Sequence, residues 1–331
     1  MLDVIITVTL VVIGFIFLMK GADFLVDGAS NIAKRFHIPE MVIGLTIVSI
    51  GTSMPELVVS LQSAIQGQSD IAVGNVIGSN IANLFLILGL CSVIKSLKFK
   101  KETRLFENPF TIIITTLLLI MGNTGEKITR IEGLILVALC VLFIVYNIYM
   151  VKKGEEFDST EYSKAEKKQI KKEEKEAKNV SIVKSIFSVI IGILALKFGG
   201  DFVVNGCTDI ATMIGISEKL ISLTIIAIST SLPELMTSIS ATRKGETDIA
   251  IGNVIGSQIF NILLIIGVSA TISPISYTLS YNKDIILLLI GTIMLSLFPR
   301  MGKMDEMTRK NGLSFVTMYS FYIVSLVIFN G

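Results

Sequence analysis

The chain has 331 residues, 52% of them hydrophobic and none of them Trp, and its mean hydropathy is +0.74, which excludes a soluble domain whose surface must face water. A formal charge of +2, with the basic residues confined to short connections instead of one stripe, excludes a nucleic-acid partner.

Ten stretches read as membrane-spanning helices: about 3 to 34, 38 to 65, 71 to 94, 108 to 123, 130 to 151, 181 to 213, 218 to 242, 248 to 275, 283 to 299 and 312 to 329. They recur from end to end, so a cleaved leader does not account for them. The first and sixth are long enough to tilt. With ten spans, Lys34, Arg35, Lys95, Lys98, Lys100, Lys101, Arg104, Arg243, Lys244, Arg300, Lys303, Arg309 and Lys310 share one side with the 152–180 segment. The other side keeps only Lys127, Arg130, Lys219 and Lys283. The expected placement is a multi-pass protein of the cell membrane, with both termini outside the cytoplasm and the 152–180 loop inside.

That loop alternates Lys with Glu and has few apolar residues, so it is expected to be a solvated helical extension or linker. It divides the chain into a first five-helix repeat, 1–151, and a second, 181–331. Cys91, Cys140 and Cys207 lack metal-ligand spacing and read as small apolar filler. His37, the only histidine, lies beside Pro39 in an expected surface loop.

The two halves are copies. "GTSMPELVVS" at Gly51 returns as "STSLPELMTS" at Ser229, and 234 minus 56 and 261 minus 83 both give 178. Asp23 and Asp201, Thr46 and Thr224, and Gly74 and Gly252 share that offset, which marks an internal duplication. Five spans per half is an odd number, so the second copy would enter the membrane inverted, as in alternating-access transporters.

Glu56 and Glu234 fall near the middle of spans two and seven, where an ionisable side chain costs at least about 2.5 kcal/mol. A bound cation or protonation is needed to offset that. Pro55 and Pro233 lack an N–H, which frees carbonyls near Gly51, Thr52, Ser229 and Thr230. Freed carbonyls in a bilayer are tolerated where they line a site. Thr52, Ser53, Thr230 and Ser231 add hydroxyls within the same turns.

A second repeated motif, "GNVIGSNIAN" and "GNVIGSQIFN", places Ser79 with Asn83 and Ser257 with Asn261, each pair four residues apart on one helical face. Their alternative use is interhelical hydrogen bonding. Gly74, Gly78, Gly252 and Gly256 would allow close helix packing. The pooled donors are hard oxygens without His or thiolate. Calcium suits six to eight such oxygens, sodium is similar in size, and two glutamates balance one divalent charge. Shared ligands are what an antiporter requires, because each ion stabilises the site only after the other leaves.

At "GTSMPE", "GNVIGSNIAN", "STSLPE" and "GNVIGSQIFN" the chain resembles the sodium/calcium exchanger family, within the cation/calcium antiporters, in its short prokaryotic form. The resemblance implies an all-α integral membrane fold of ten transmembrane helices, arranged as two inverted five-helix repeats with broken helices at the midplane. It implies calcium held by Glu56, Glu234 and the carbonyls of Thr52 and Thr230. Sodium sites would reuse these with Ser79, Ser257, Asn83 and the carbonyls of Ser49 and Ala227. Spans one and six would slide across the rest.

Asn261 stands where potassium-dependent relatives usually carry Asp, which argues against potassium co-transport. Ser229 stands where the family commonly has Gly, as at Gly51, which questions the symmetry of the halves. Asp23 and Asp201 read as capped helix segments, with an access-route role as the second reading. The rival function is a proton/calcium exchanger in which the two glutamates titrate. No activated nucleophile or aspartate dyad marks an enzyme, and opposed duplication speaks against a channel. No cofactor is expected, calcium and sodium being substrates, and nothing implies a partner beyond the lipid bilayer.

Overall fold

The computed structural model of the protein describes residues 2–152, 181–213, 229–301 and 305–330. The charged linker expected at 152–180, Ala227 and Thr224 therefore lie outside the described residues, apart from Lys152 at a helix end. The described helices are α1 (Leu2–Phe36), α2 (Glu40–Thr52), α3 (Met54–Ile65), α4 (Ser69–Ile94), α5 (Thr103–Asn123), α6 (Arg130–Lys152), α7 (Ile182–Met213), α8 (Leu232–Lys244), α9 (Thr247–Ile272), α10 (Tyr281–Met301) and α11 (Arg309–Asn330).

Among the described residues, seven helices are long and apolar enough to cross a membrane, or eight when α2 and α3 count as one bent span. α11 falls short because Ser314, Thr317, Tyr319, Ser320, Tyr322 and Ser325 interrupt its apolar face. The expected span 218 to 242 is described only from Ser229 onward. α9 is central, with 94% of its apolar stretch buried, whereas only 22% of that of α6 is. Large side chains such as Ile113, Ile131, Leu142 and Phe321 point outward and are exposed, as lipid-facing residues must be.

α1 and α7 make the most extensive helix contact among the described residues. Gly14 meets Gly199, Gly21 meets Gly192 and Gly28 meets Ser185, so the partner's number falls as the residue's rises and the helices run antiparallel. A Cβ on any of these glycines would lie within 3.0 Å of the opposite backbone. Glycine every seven residues on both helices is what permits this approach. The first helices of the two halves thus lie together in opposite directions.

Two short strand pairs also join the halves. β1 (Leu97–Lys98) pairs antiparallel with β4 (Glu306–Met307), and β2 (Lys127–Ile128) with β3 (Ile275–Ser276). Near the first pair the basic side chains gather with acidic partners: Lys34 with Glu40 and Glu246, Lys100 with Asp248, and Arg104 with Asp305. His37 is exposed in the turn after α1 with a φ of 55°, where it ends the helix while Ile38 N–H donates back to Ala33.

One helix start differs from expectation. The fourth span begins near Thr103 rather than 108, because a wide π-helical turn, Thr103–Glu107, carries the helix past Pro109, whose ring an α-helical turn would not accommodate.

Candidate cation site

The split in span two is local in origin. Ser53 leaves helical geometry with φ −84° and ψ 7°, Pro55 occupies the first turn of α3, and the helix bends by 50°. Ser231 repeats this with φ −86° and ψ 2°, followed by Pro233 in the first turn of α8. In both halves a helix therefore starts anew just before a glutamate. Glu56 and Glu234 stand in the first turns of α3 and α8, where exposed N–H groups favour a carboxylate.

Tertiary packing brings most of the sequence-derived donors together. Ser53 Oγ donates to Glu234 Oε1 at 3.0 Å and lies 3.0 Å from Ser257 Oγ. Ser79 Oγ lies 3.3 Å from Thr230 Oγ1. These contacts cross between the halves. Glu56, Glu234, Thr52, Ser53, Ser231, Ser79, Ser257, Asn83 and Asn261 are all buried. Ser49 is buried as well, and its carbonyl already accepts from Ser53 N–H at 3.0 Å and from Thr52 Oγ1 at 3.3 Å.

Several buried oxygens have no hydrogen-bond partner among the described residues: both oxygens of Glu56, Glu234 Oε2, Asn83 Oδ1, Asn261 Oδ1 and Ser231 Oγ. No described Lys or Arg pairs with either glutamate. Buried carboxylate oxygens are expensive to leave bare, and a cation satisfies several at once. The donors are oxygens only, which suits a hard ion.

Four residues that sequence reasoning did not single out complete the surroundings. Asn75 and Asn253 brace the glutamates from α4 and α9, and Asn80 accepts from Asn261 at 3.0 Å while donating to Gln258 O at 3.4 Å. The available signal was a polar residue within an apolar run, recurring at the 178 offset inside the same motifs. The π-helical turns Ala82–Ile87 and Asn261–Ile266 also went unforeseen; each includes a candidate ligand, Asn83 or Asn261, as wide turns at functional sites often do.

A Cβ at Gly51 would lie 2.6 Å from Ile193 Cδ1 of α7, whereas Ser229 is partly exposed. Gly252 and Gly256 let α9 approach α2, since a Cβ would meet Met41 O at 2.6 Å and Ser49 Oγ at 2.6 Å. For Gly74 the nearest group is Tyr281 Oη at 3.3 Å. Asp23 accepts from Ser240 at 2.7 Å and faces Lys244, and Asp201 pairs with Lys197. A cavity of about 290 Å³ reaches Thr52 and Pro55 from the side of Ile193, Lys197 and Asp201.

Apolar helices around a buried, oxygen-only donor cluster with two carboxylates define a multi-pass membrane protein built to hold a hard cation. The family model for sodium/calcium exchanger proteins matches residues 6–149 and 184–328, and the chain belongs to that family, whose members are transporters and not enzymes. It is 34% identical over 348 residues to the sodium/calcium exchanger MaX1 of Methanosarcina acetivorans, covering 96% of this chain and 97% of that one. It is 33% identical over 289 residues to the inner membrane protein YrbG of Escherichia coli, covering 87% of each. A solved structure of the sodium-calcium exchanger NCX_Mj, soaked with sodium and calcium, superposes with a TM-score of 0.81 at 31% identity, covering 97% of this chain and 99% of that one.

Proposed function

We propose that this protein is a secondary active antiporter that exchanges sodium for calcium by alternating access at one shared midplane site. The observation that carries the reading is the fully buried Glu56 and Glu234 pair, three of whose four carboxylate oxygens lack a partner among the described residues. Glu56, Glu234 and the carbonyls of Thr52 and Thr230 form the calcium set. Ser53, Ser231, Ser79, Ser257, Asn83 and Asn261 add side-chain oxygens, and sodium ions reuse them with the carbonyls of Ser49 and Ala227. Because Ser49 O holds two donors in this conformation, it joins only when one of them lets go. The names of MaX1 and NCX_Mj support sodium as the counter-ion.

The architecture proposed is ten transmembrane helices in two inverted five-helix repeats, 1–151 and 181–331, joined by a cytoplasmic 152–180 linker. Support comes from the antiparallel α1 and α7, from the strand pairs that cross between halves, and from the basic side chains gathered at one end. Both termini are then extracytoplasmic. The test is calcium uptake into proteoliposomes loaded with sodium, potassium or choline, or subjected to a pH step. Uptake requiring internal sodium at fixed pH supports the reading and makes potassium dispensable. Uptake driven by the pH step alone replaces it with proton/calcium exchange.

A further inference from the structure

The two asparagines of the "GNV" triplets are bonded on both faces of their side chains. Asn75 Nδ2 donates to the main-chain carbonyl of Glu56 at 3.2 Å and to Ser60 Oγ at 2.9 Å, while its Oδ1 accepts from Thr230 Oγ1 at 3.3 Å. Asn253 repeats the arrangement in the other half: Nδ2 to Glu234 O at 3.4 Å and to Ser238 Oγ at 2.9 Å, with Oδ1 accepting from Thr52 Oγ1 at 3.0 Å. Asn253, Ser60, Ser238 and Thr52 are buried. Each amide therefore touches the glutamate of its own repeat and the threonine of the other.

We infer that Asn75 and Asn253 are positioning residues that set the two glutamates and the two broken turns in register across the repeat boundary, and that the Thr52 and Thr230 hydroxyls are their anchors in the opposite repeat. The physical case is one of donors and acceptors. Each carboxamide has two N–H donors and one oxygen, and here both ends are engaged, which fixes how the side chain is turned between the two repeats. A threonine hydroxyl has one proton, and each of these is given to an asparagine oxygen or to a local carbonyl. The threonine main-chain carbonyl at the break takes its direction from the turn that the hydroxyl anchors. The glutamate carbonyl held by the amide lies in the first turn of α3 or α8, so the amide also fixes how that helix start presents its carboxylate. Loss of either asparagine releases a carbonyl in one repeat and a hydroxyl in the other.

This inference rests on the cation-binding reading above. It is tested by calcium binding to the purified full chain, measured with radioactive calcium at equilibrium. Asn253→Ala and Thr52→Val are each expected to weaken binding at least tenfold, and the double variant is expected to be no weaker than the worse single. Thr52→Val combined with Asn75→Ala, which share no hydrogen bond among the described residues, is expected to show the product of the two losses. Thr52→Ser, which keeps the hydroxyl, is expected to bind within threefold of the wild type. Asn147→Ala, which removes a buried amide bonded only within its own helix, controls for nonspecific loosening and is expected to leave affinity unchanged. A generally structural role would not distinguish the two double variants. Near-normal affinity of Asn253→Ala, or independent losses in the Thr52 and Asn253 pair, overturns the inference alone. Should Asn253→Ala fail to fold, the Thr52→Val and Thr52→Ser contrast decides, equal affinity in both overturning it. A wild-type chain that binds neither calcium nor sodium overturns the functional reading and the inference together.

Discussion

Ser53, where the first broken helix leaves helical geometry, donates across the repeat boundary to Glu234 Oε1 at 3.0 Å, while the hydroxyl of its counterpart Ser231 has no partner among the described residues. The duplicated motifs are thus equivalent in sequence and unequal in bonding. A hydrogen bond to a charged group is worth roughly 1.5–3 kcal/mol. Ser53→Ala is expected to destabilise the calcium-free protein by about 2 kcal/mol and Ser231→Ala by under about 0.5 kcal/mol, read by thermal unfolding in detergent. Equal losses would show that the asymmetry has no energetic content.

The cluster of bare oxygens predicts that the ion stabilises the fold. A ligand that binds only the folded state at 100 times its Kd adds about 2.7 kcal/mol. Calcium is expected to raise the unfolding temperature of the wild type, and chelation to reverse the rise. Glu56→Gln and Glu234→Gln are expected to lose this shift and to bind neither calcium nor sodium. Near-normal calcium affinity in both single variants would refute the site assignment.

Lys244 ties the end of α8 to Asp23 at 3.4 Å and Asp27 at 2.6 Å of α1, the helix expected to slide. Asp27 is 58% exposed, so the pair adds little stability, under about 1 kcal/mol. Its effect is expected on motion: Lys244→Ala should change the exchange rate at least threefold and leave calcium affinity within twofold. Parallel changes in both would show that the tether belongs to the binding site.

Lys34 reaches from α1 to Glu246 at 2.8 Å in a second tether. Burial opposes the charge on Glu246, but hydrogen bonds involving Glu40, Lys34 and Ser30 and the charge of Lys34 outweigh it and hold its carboxyl below the usual value of 4.5. A lowered carboxyl stabilises the fold above its unfolded value and ceases to do so as pH falls through the lowered one. The stability difference between the wild type and Glu246→Gln is therefore expected to shrink with acidification below pH 4.5. A difference that grows on acidification would contradict the bonding described.

The antiparallel glycine register of α1 and α7 admits no side chain. A Cβ at Gly192 would lie 2.6 Å from Leu25 N. Gly192→Val is expected to cost about 3 kcal/mol or more by overpacking, while Ile191→Val, on an exposed position beside it, is expected to cost under about 1 kcal/mol. Comparable unfolding temperatures in the two variants would show that the helices separate freely.

Much of this protein was legible one residue at a time. Apolar length marked the helices because a bilayer leaves the backbone few alternatives, and the prolines at 55 and 233 marked the breaks because a missing N–H and a ring clash are local facts. The 178-residue offset exposed the duplication, and a carboxylate in an apolar run marked Glu56 and Glu234 as requiring a partner. What only the tertiary structure decided is how the donors are shared. That Thr52 bonds to Asn253, that Ser53 reaches Glu234, that Gly51 faces Ile193, and that wide turns take in Asn83 and Asn261 all depend on which surfaces of the two halves meet. Spacing along a chain assigns a residue to a helical face, but a hydroxyl has one proton, and which of several nearby acceptors receives it is settled only when segments some 200 residues apart are packed together.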